Sequence, residues 1–194
     1  MDKTSVSLLD RVAGQDGHAW GELVELYTPL IRAWLRRQAA PVSDDQDLVQ
    51  EVLTVVVRRV PEFEHNGRVG AFRSWLRTIT VNCLRDFWRA RRLRPLASGG
   101  SDFQEWLDQL ADSASALSQM WDREHDVHVM KQLLARLEPE FTTPTWRAFR
   151  RVALEGATPD QAAAELGLTV NAVFIAKSRV LARLRQEAAG ILEA

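Results

Sequence analysis

"GATPDQAAAELGLTVNAVFIAKSRVLARLR", residues Gly156 to Arg185, decides how the rest of the chain is read. It holds two amphipathic helical stretches parted at Gly167, each with its own start signal. Thr158, Pro159 and Gln161 make a capping pattern with proline at the first helical position, and Thr169 can cap the second stretch. The supporting helix spans about Pro159 to Leu166. On a helical wheel Val170, Val173, Val180, Leu181 and Leu184 share one face, while Asn171, Ile175, Ser178, Arg179 and Ala182 look the other way. The spacing fits a helix-turn-helix whose second helix enters a major groove; a plain helical hairpin closing a core is the alternative. On the outward face Asn171 and Ser178 can hydrogen-bond base edges, Arg179 can reach guanine or phosphate, and Ile175 can meet a thymine methyl. Phe174 falls at the margin of the apolar stripe, where packing is its expected role. Lys177 falls inside the stripe, its stem over the core and its amine extending outward.

The formal net charge of −1 argues against a nucleic-acid partner only until the charges are counted by segment. From Arg68 to Arg94 there are eight arginines against Asp86 alone, and from Asn171 to Arg185 four cations and no acid. Between these basic stretches, Ser101 to Asp126 carries seven acids against Arg123, and Pro41 to Glu64 six acids against two arginines. Near neutrality is a cancellation of opposite patches.

The chain has 194 residues, 46% of them apolar, which suffices for one or two ordinary packed cores. No run approaches the roughly eighteen apolar residues of a membrane span, and "MDKTSVSLLDRVAGQDG" at the start lacks the apolar centre of a secretory signal, so a cytoplasmic location is expected. A single cysteine, Cys83, excludes an internal disulfide and a cysteine-based zinc cluster; a small buried residue is its expected role.

Helical periodicity dominates, with no convincing strand alternation, so the expected fold class is all-α. A helix is predicted from about His18 to Arg37, through Trp20, Leu23, Tyr27, Leu30, Ile31, Trp34 and Leu35. Ser43 with Gln46 opens another that ends before Pro61, and a third starts near Ala71 and runs to the arginines before Pro95. The stretch from Leu96 to about Ser115 reads as a connecting segment with a small helix around Phe103 to Leu110. A second helical unit follows, in which Thr143 and Pro144 mark a helix start and Gly156 its end.

"DDQDLVQEVLTVVVRRVPEF" (Asp44–Phe63) followed by "FRSWLRTITVNCLRDFWRARR" (Phe72–Arg92) resembles the second conserved region of bacterial RNA polymerase sigma factors of the extracytoplasmic-function type. The Gly156–Arg185 stretch resembles their fourth region. The similarity covers about Gly17 to Arg94 and His125 to Glu187; "WDREHD" and "NAVFIAKSRVLARLR" look most like the planctomycete-type branch. The resemblance implies two helical domains, residues 1–95 and 116–194, joined by an acidic linker at 96–115.

It also implies partners: the clamp helices and flap of core RNA polymerase, promoter DNA, and an anti-sigma protein or other regulator. Asp44, Asp45, Asp47, Gln50 and Glu51, beside apolar Leu48 and Val52, match the motif that docks on the clamp helices. A negative helix against a basic coiled coil is electrostatically sensible, and a solvated acidic first turn is the alternative. Asn82 falls at the family's position for reading a base flipped from the −10 element, with Arg73, Arg77, Arg85 and Arg89 placed to hold the separated strand. Trp75 and Trp88 add aromatic surface, although tryptophans at helical spacing are more often core, above all Trp75. The −35 contacts fall on Asn171, Phe174, Ile175, Ser178, Arg179 and Arg183. Many relatives carry basic or polar residues where this chain has Phe174 and Ile175, which implies reduced direct readout there.

Two rivals stand beside this reading. A transcription regulator could own the same helix-turn-helix and bind its operator without polymerase, but would need a sensor in the first half. A metal-dependent helical enzyme is suggested by Asp122, Glu124, His125 and His128, yet a bundle site needs paired motifs from several helices, so these histidines are expected to be solvated or core residues. The expectation is a protein with no cofactor that catalyses no reaction itself.

Overall fold

The computed structural model describes residues 7–37, 45–64, 70–91, 100–189 and 191–192, and among them every regular element is helical. In order these are α1 (Leu8–Ala13), α2 (Gly17–Arg37), α3 (Asp45–Arg59), a 3₁₀ turn at Val60–Glu62, α4 (Ala71–Arg91), α5 (Gly100–Ala111), α6 (Ala116–Leu137), a second 3₁₀ turn at Glu138–Glu140, α7 (Thr143–Phe149), a π-helical turn at Arg150–Leu154, α8 (Pro159–Leu166) and α9 (Val170–Ala188). The proposed Ser43 cap lies outside the described residues.

Packing divides the described chain into one unit at residues 7–129, joined by residues 191–192, and another at 130–189. The division falls inside α6 rather than in the 96–115 segment. The reason is burial. Leu107 and Leu110 of α5 and Trp121 and Val129 of α6 are at most 1% exposed, so the segment expected to be a linker belongs to the first core.

In the first unit α2 contributes Leu23, Tyr27, Ile31, Trp34 and Leu35, α3 contributes Leu48, Val52 and Val56, and α4 contributes Phe72, Leu76 and Leu84, all buried. These are the positions expected of one apolar stripe per helix. Trp34 meets Trp121 with ring centroids 4.9 Å apart, and Tyr27 stacks on His125 at 5.7 Å. The short α1 was not anticipated. The Ser7 hydroxyl accepts from the Asp10 amide as its N-cap, and Leu8, Leu9 and Val12 are buried. Gly70, at φ +78°, turns the chain into α4; its missing Cβ leaves room for the Arg73 guanidinium, which would come within 2.6 Å of that carbon.

The second unit is built for close approach. Ala148, Ala162, Ala163, Val173 and Ala176 form its small-residue core, with Val152, Leu166, Leu168 and Val170 around it. Thr142 rather than Thr143 stands at the N-cap position of α7, its hydroxyl paired with that of Thr145 at 2.9 Å and not with a backbone amide, and the helix begins at Thr143 with Pro144 in its first turn. The capping box at Thr158 and Gln161 forms as expected, Gly167 closes α8 in the left-handed region at φ +65°, and Thr169 caps α9.

Candidate nucleic-acid interface

Helix α4 carries the arginines on which the sequence reading rests, and its two sides differ. Arg77 is 3% exposed; its Nη1 donates to Asp122 Oδ1 at 2.6 Å and to the Ser118 carbonyl at 3.3 Å. Arg73 donates to Asp126 Oδ2 at 2.8 Å, with Asp122 at 3.6 Å. A buried guanidinium is held only where carboxylates satisfy it, and these two are occupied by α6. They lie against protein rather than facing a nucleic-acid strand, which corrects their expected role. Arg85 is partly exposed and donates to Asp108 Oδ1 of α5 at 2.8 Å. Trp75 packs into an aromatic group with Phe63 and Phe72, at 5.2 Å and 5.4 Å, in keeping with a packing role. The Trp88 side chain lies outside the described residues.

On the opposite side Asn82 is exposed and makes no side-chain hydrogen bond among the described residues. It opens into a cleft of about 370 Å³ between α3 and α4, lined also by Val55, Arg59, Ile79, Cys83, Arg85, Asp86 and Arg89. Arg89 is well exposed and lies 3.3 Å from Asp86. The cleft pairs an apolar floor with cationic walls and one free amide, a combination suited to a flat polar ring attached to phosphate. Val55 and Arg59 were missed by the sequence reading, because only the packing of α3 on α4 brings them to Asn82. Burial first, then Glu51 and Asp86, pushes the Cys83 thiol up to about 11.

Along α3, Asp47, Gln50 and Glu51 are exposed, as a docking surface requires, whereas Leu48 and Val52 are fully buried and serve the core rather than a partner. Asp44 and the side chain of Asp45 lie outside the described residues.

The acid–histidine run in α6 is structural. His125 is fully buried: its Nδ1 lies 3.0 Å from Asp126 and its Nε2 3.1 Å from the Tyr27 hydroxyl. Because the ionised carboxylate can only accept, Nδ1 carries the proton and Nε2 accepts from tyrosine. Burial holds the His125 pKa below 6.5 despite the attraction of Asp126. His128 Nε2 donates to the Leu26 carbonyl at 2.7 Å.

In α9 the inward face is Val173, Ala176, Val180 and Leu184, and Asn171, Phe174, Ile175, Ser178, Arg179 and Ala182 form one exposed stripe. Phe174 is 54% exposed, so the packing expected of it does not occur: the core beneath is already filled by Val173 and Ala176. Arg183 turns the other way, donating to both Glu140 oxygens at 2.8 and 3.2 Å and bridging buried Glu187. It braces the unit, which corrects its expected place among the DNA contacts. Arg179 has no carboxylate partner among the described residues.

Residues 23–94 match the sigma-70 region 2 family. Over 99 residues the chain is 29% identical to the RNA polymerase sigma factor NccH of Alcaligenes xylosoxydans xylosoxydans, a match spanning 51% of this chain and about half, 52%, of that protein. It is 26% identical over 179 residues to the RNA polymerase sigma factor CnrH of Cupriavidus metallidurans, covering 91% of this chain and 90% of the other. With the RNA polymerase sigma-E factor of Streptomyces coelicolor it shares 29% identity over 160 residues, 81% and 78% of the two chains. The chain thus carries a sigma-70 region 2 domain over α2 to α4, and the relatives it resembles across most of its length are bacterial RNA polymerase sigma factors.

Proposed function

We propose that this transcription initiation factor divides its work among three surfaces. The exposed acids of α3, Asp47 and Glu51 with Gln50 between them, dock on the clamp helices of the polymerase largest subunit. The Asn82 cleft receives a base displaced from the −10 element, with Arg59, Arg85 and Arg89 along the strand backbone. The open stripe of α9 meets the −35 element, while its unit rests on the polymerase flap. The protein works in the cytoplasm, an anti-sigma protein is a further partner, and no reaction is catalysed by the chain itself. Among the described residues no helix is long and apolar enough to cross a membrane.

The observation that carries this reading is the cleft beside Asn82, where a free amide, three arginines and an apolar floor converge. Unstacking a base costs on the order of a few kcal/mol, so a prepared site for it can favour local opening without ATP. The test is reconstitution with core polymerase on genomic promoter fragments. Asn82→Ala is expected to assemble normally and lose strand opening, read by permanganate reactivity of unpaired thymines. Asp47→Asn with Glu51→Gln is expected to lose assembly. Normal transcription by both variants overturns the assignment.

A further inference from the structure

The open stripe of α9 presents apolar side chains where a groove-reading helix more often presents polar ones. Phe174 is 54% and Ile175 44% exposed, side by side in the first half of the helix. They cannot turn inward, because Val173 and Ala176 occupy the space against Ala148, Ala162 and Ala163. Nor is their position loose. The Thr169 hydroxyl accepts from the Ala172 amide at 3.1 Å one turn before them, and the Thr158 box and Gly167 fix the preceding helix and turn.

Two exposed apolar side chains retain a hydrophobic gain that only a partner can collect. The partner's charge is indicated by the neighbours: Lys177, Arg179 and Arg185 are cationic, no acid lies between Asn171 and Arg185, and Arg179 shares the stripe. A polyanion with apolar groups is called for. In the major groove of duplex DNA the apolar group on a base edge is the C5-methyl of thymine. Resting on the −35 role proposed above, we infer that Phe174 and Ile175 read thymine methyls, so that this factor prefers a −35 element with thymines at the neighbouring base pairs facing them. Asn171, Ser178 and Arg179 then supply the polar contacts around an apolar centre. Specificity at these positions comes from removing methyl groups from water.

The experiment uses holoenzyme assembled from the full chain and core polymerase. Duplexes randomised over the −35 region are selected for binding, and each enriched thymine is then replaced by uracil, which removes the methyl and keeps every hydrogen-bonding group and phosphate. The expected result is enrichment of thymine at adjacent positions and a loss of affinity of about fourfold per uracil, the size of one buried methyl. Phe174→Ala with Ile175→Ala should bind thymine and uracil duplexes equally, with an unchanged helical signal and melting temperature. Selection without thymine enrichment, or equal binding of thymine and uracil by the unaltered factor, overturns the inference while leaving the −35 role standing. So does a double variant that loses transcription although uracil has no effect, since the pair would then serve a protein contact. Failure of the holoenzyme to select any sequence upstream of the −10 element overturns the −35 role itself.

Discussion

Arg77 of α4 and Asp122 of α6 meet at 2.6 Å with the arginine 3% exposed, so the most basic of the described helices is fastened to α6 through its core-facing side. Arg73 and Asp126 repeat the arrangement one turn away. Two of the eight arginines in that basic run thereby form a structural clasp with α6.

Removing the acid tests this directly. Asp122→Ala leaves the buried Arg77 with only a carbonyl and a hydroxyl nearby, and is expected to destabilise the first unit by about 3 kcal/mol, measured by urea unfolding. Arg77→Ala combined with Asp122→Ala should cost less than the sum of the single changes, which a double-mutant cycle resolves.

Acidification should loosen the same region. The folded pKa of His125 lies below 6.5, so below that value the unfolded chain binds the extra proton first, and stability falls as pH drops through the interval between the two pKa values. Asp126, whose pKa is depressed below 3.8, adds a further loss only in stronger acid. Melting curves from pH 7.5 to 5 should show the decline, and His125→Gln, less stable at pH 7, should show a flatter profile.

Two arginines of α9, four residues apart, should separate cleanly. Arg179→Ala is expected to weaken −35 binding and to lower the slope of log affinity against log salt by about 1, with little change in melting temperature. Arg183→Ala removes the partner of Glu187, which is 6% exposed, and should cost the second unit about 1–3 kcal/mol. Its effect on binding should vanish at temperatures where the variant is fully folded.

Cys83 offers a probe of the cleft. With its thiol pushed up to about 11, almost no thiolate exists at pH 8, and alkylation by iodoacetamide should be at least tenfold slower than for an unfolded control, which mass spectrometry can follow. Fast labelling would show that α3 and α4 part readily.

Much of this architecture was legible in the residue order. The stripe through Leu23, Tyr27, Ile31 and Trp34 marked α2 to within a residue, and Thr158 with Gln161 and Thr169 announced α8 and α9. Such signals act over three or four residues. The six-residue α1 carried too few turns for a period to show, and α5 looked like a linker because its acids outnumbered its buried Leu107 and Leu110. In the candidate site Asn82, Asp47 and the stripe of α9 stand exposed.

What the sequence determined by itself was local: helix positions, caps, and which stretches are acidic or basic. Which charges remain free was decided by tertiary structure alone. The partners of Arg77, Arg73 and Arg183 are 45, 53 and 43 residues distant, and a wheel drawn on one helix carries no record of the carboxylate that packing brings to it. Long-range pairing chooses, among similar arginines, those held by carboxylates of other helices and those left in water.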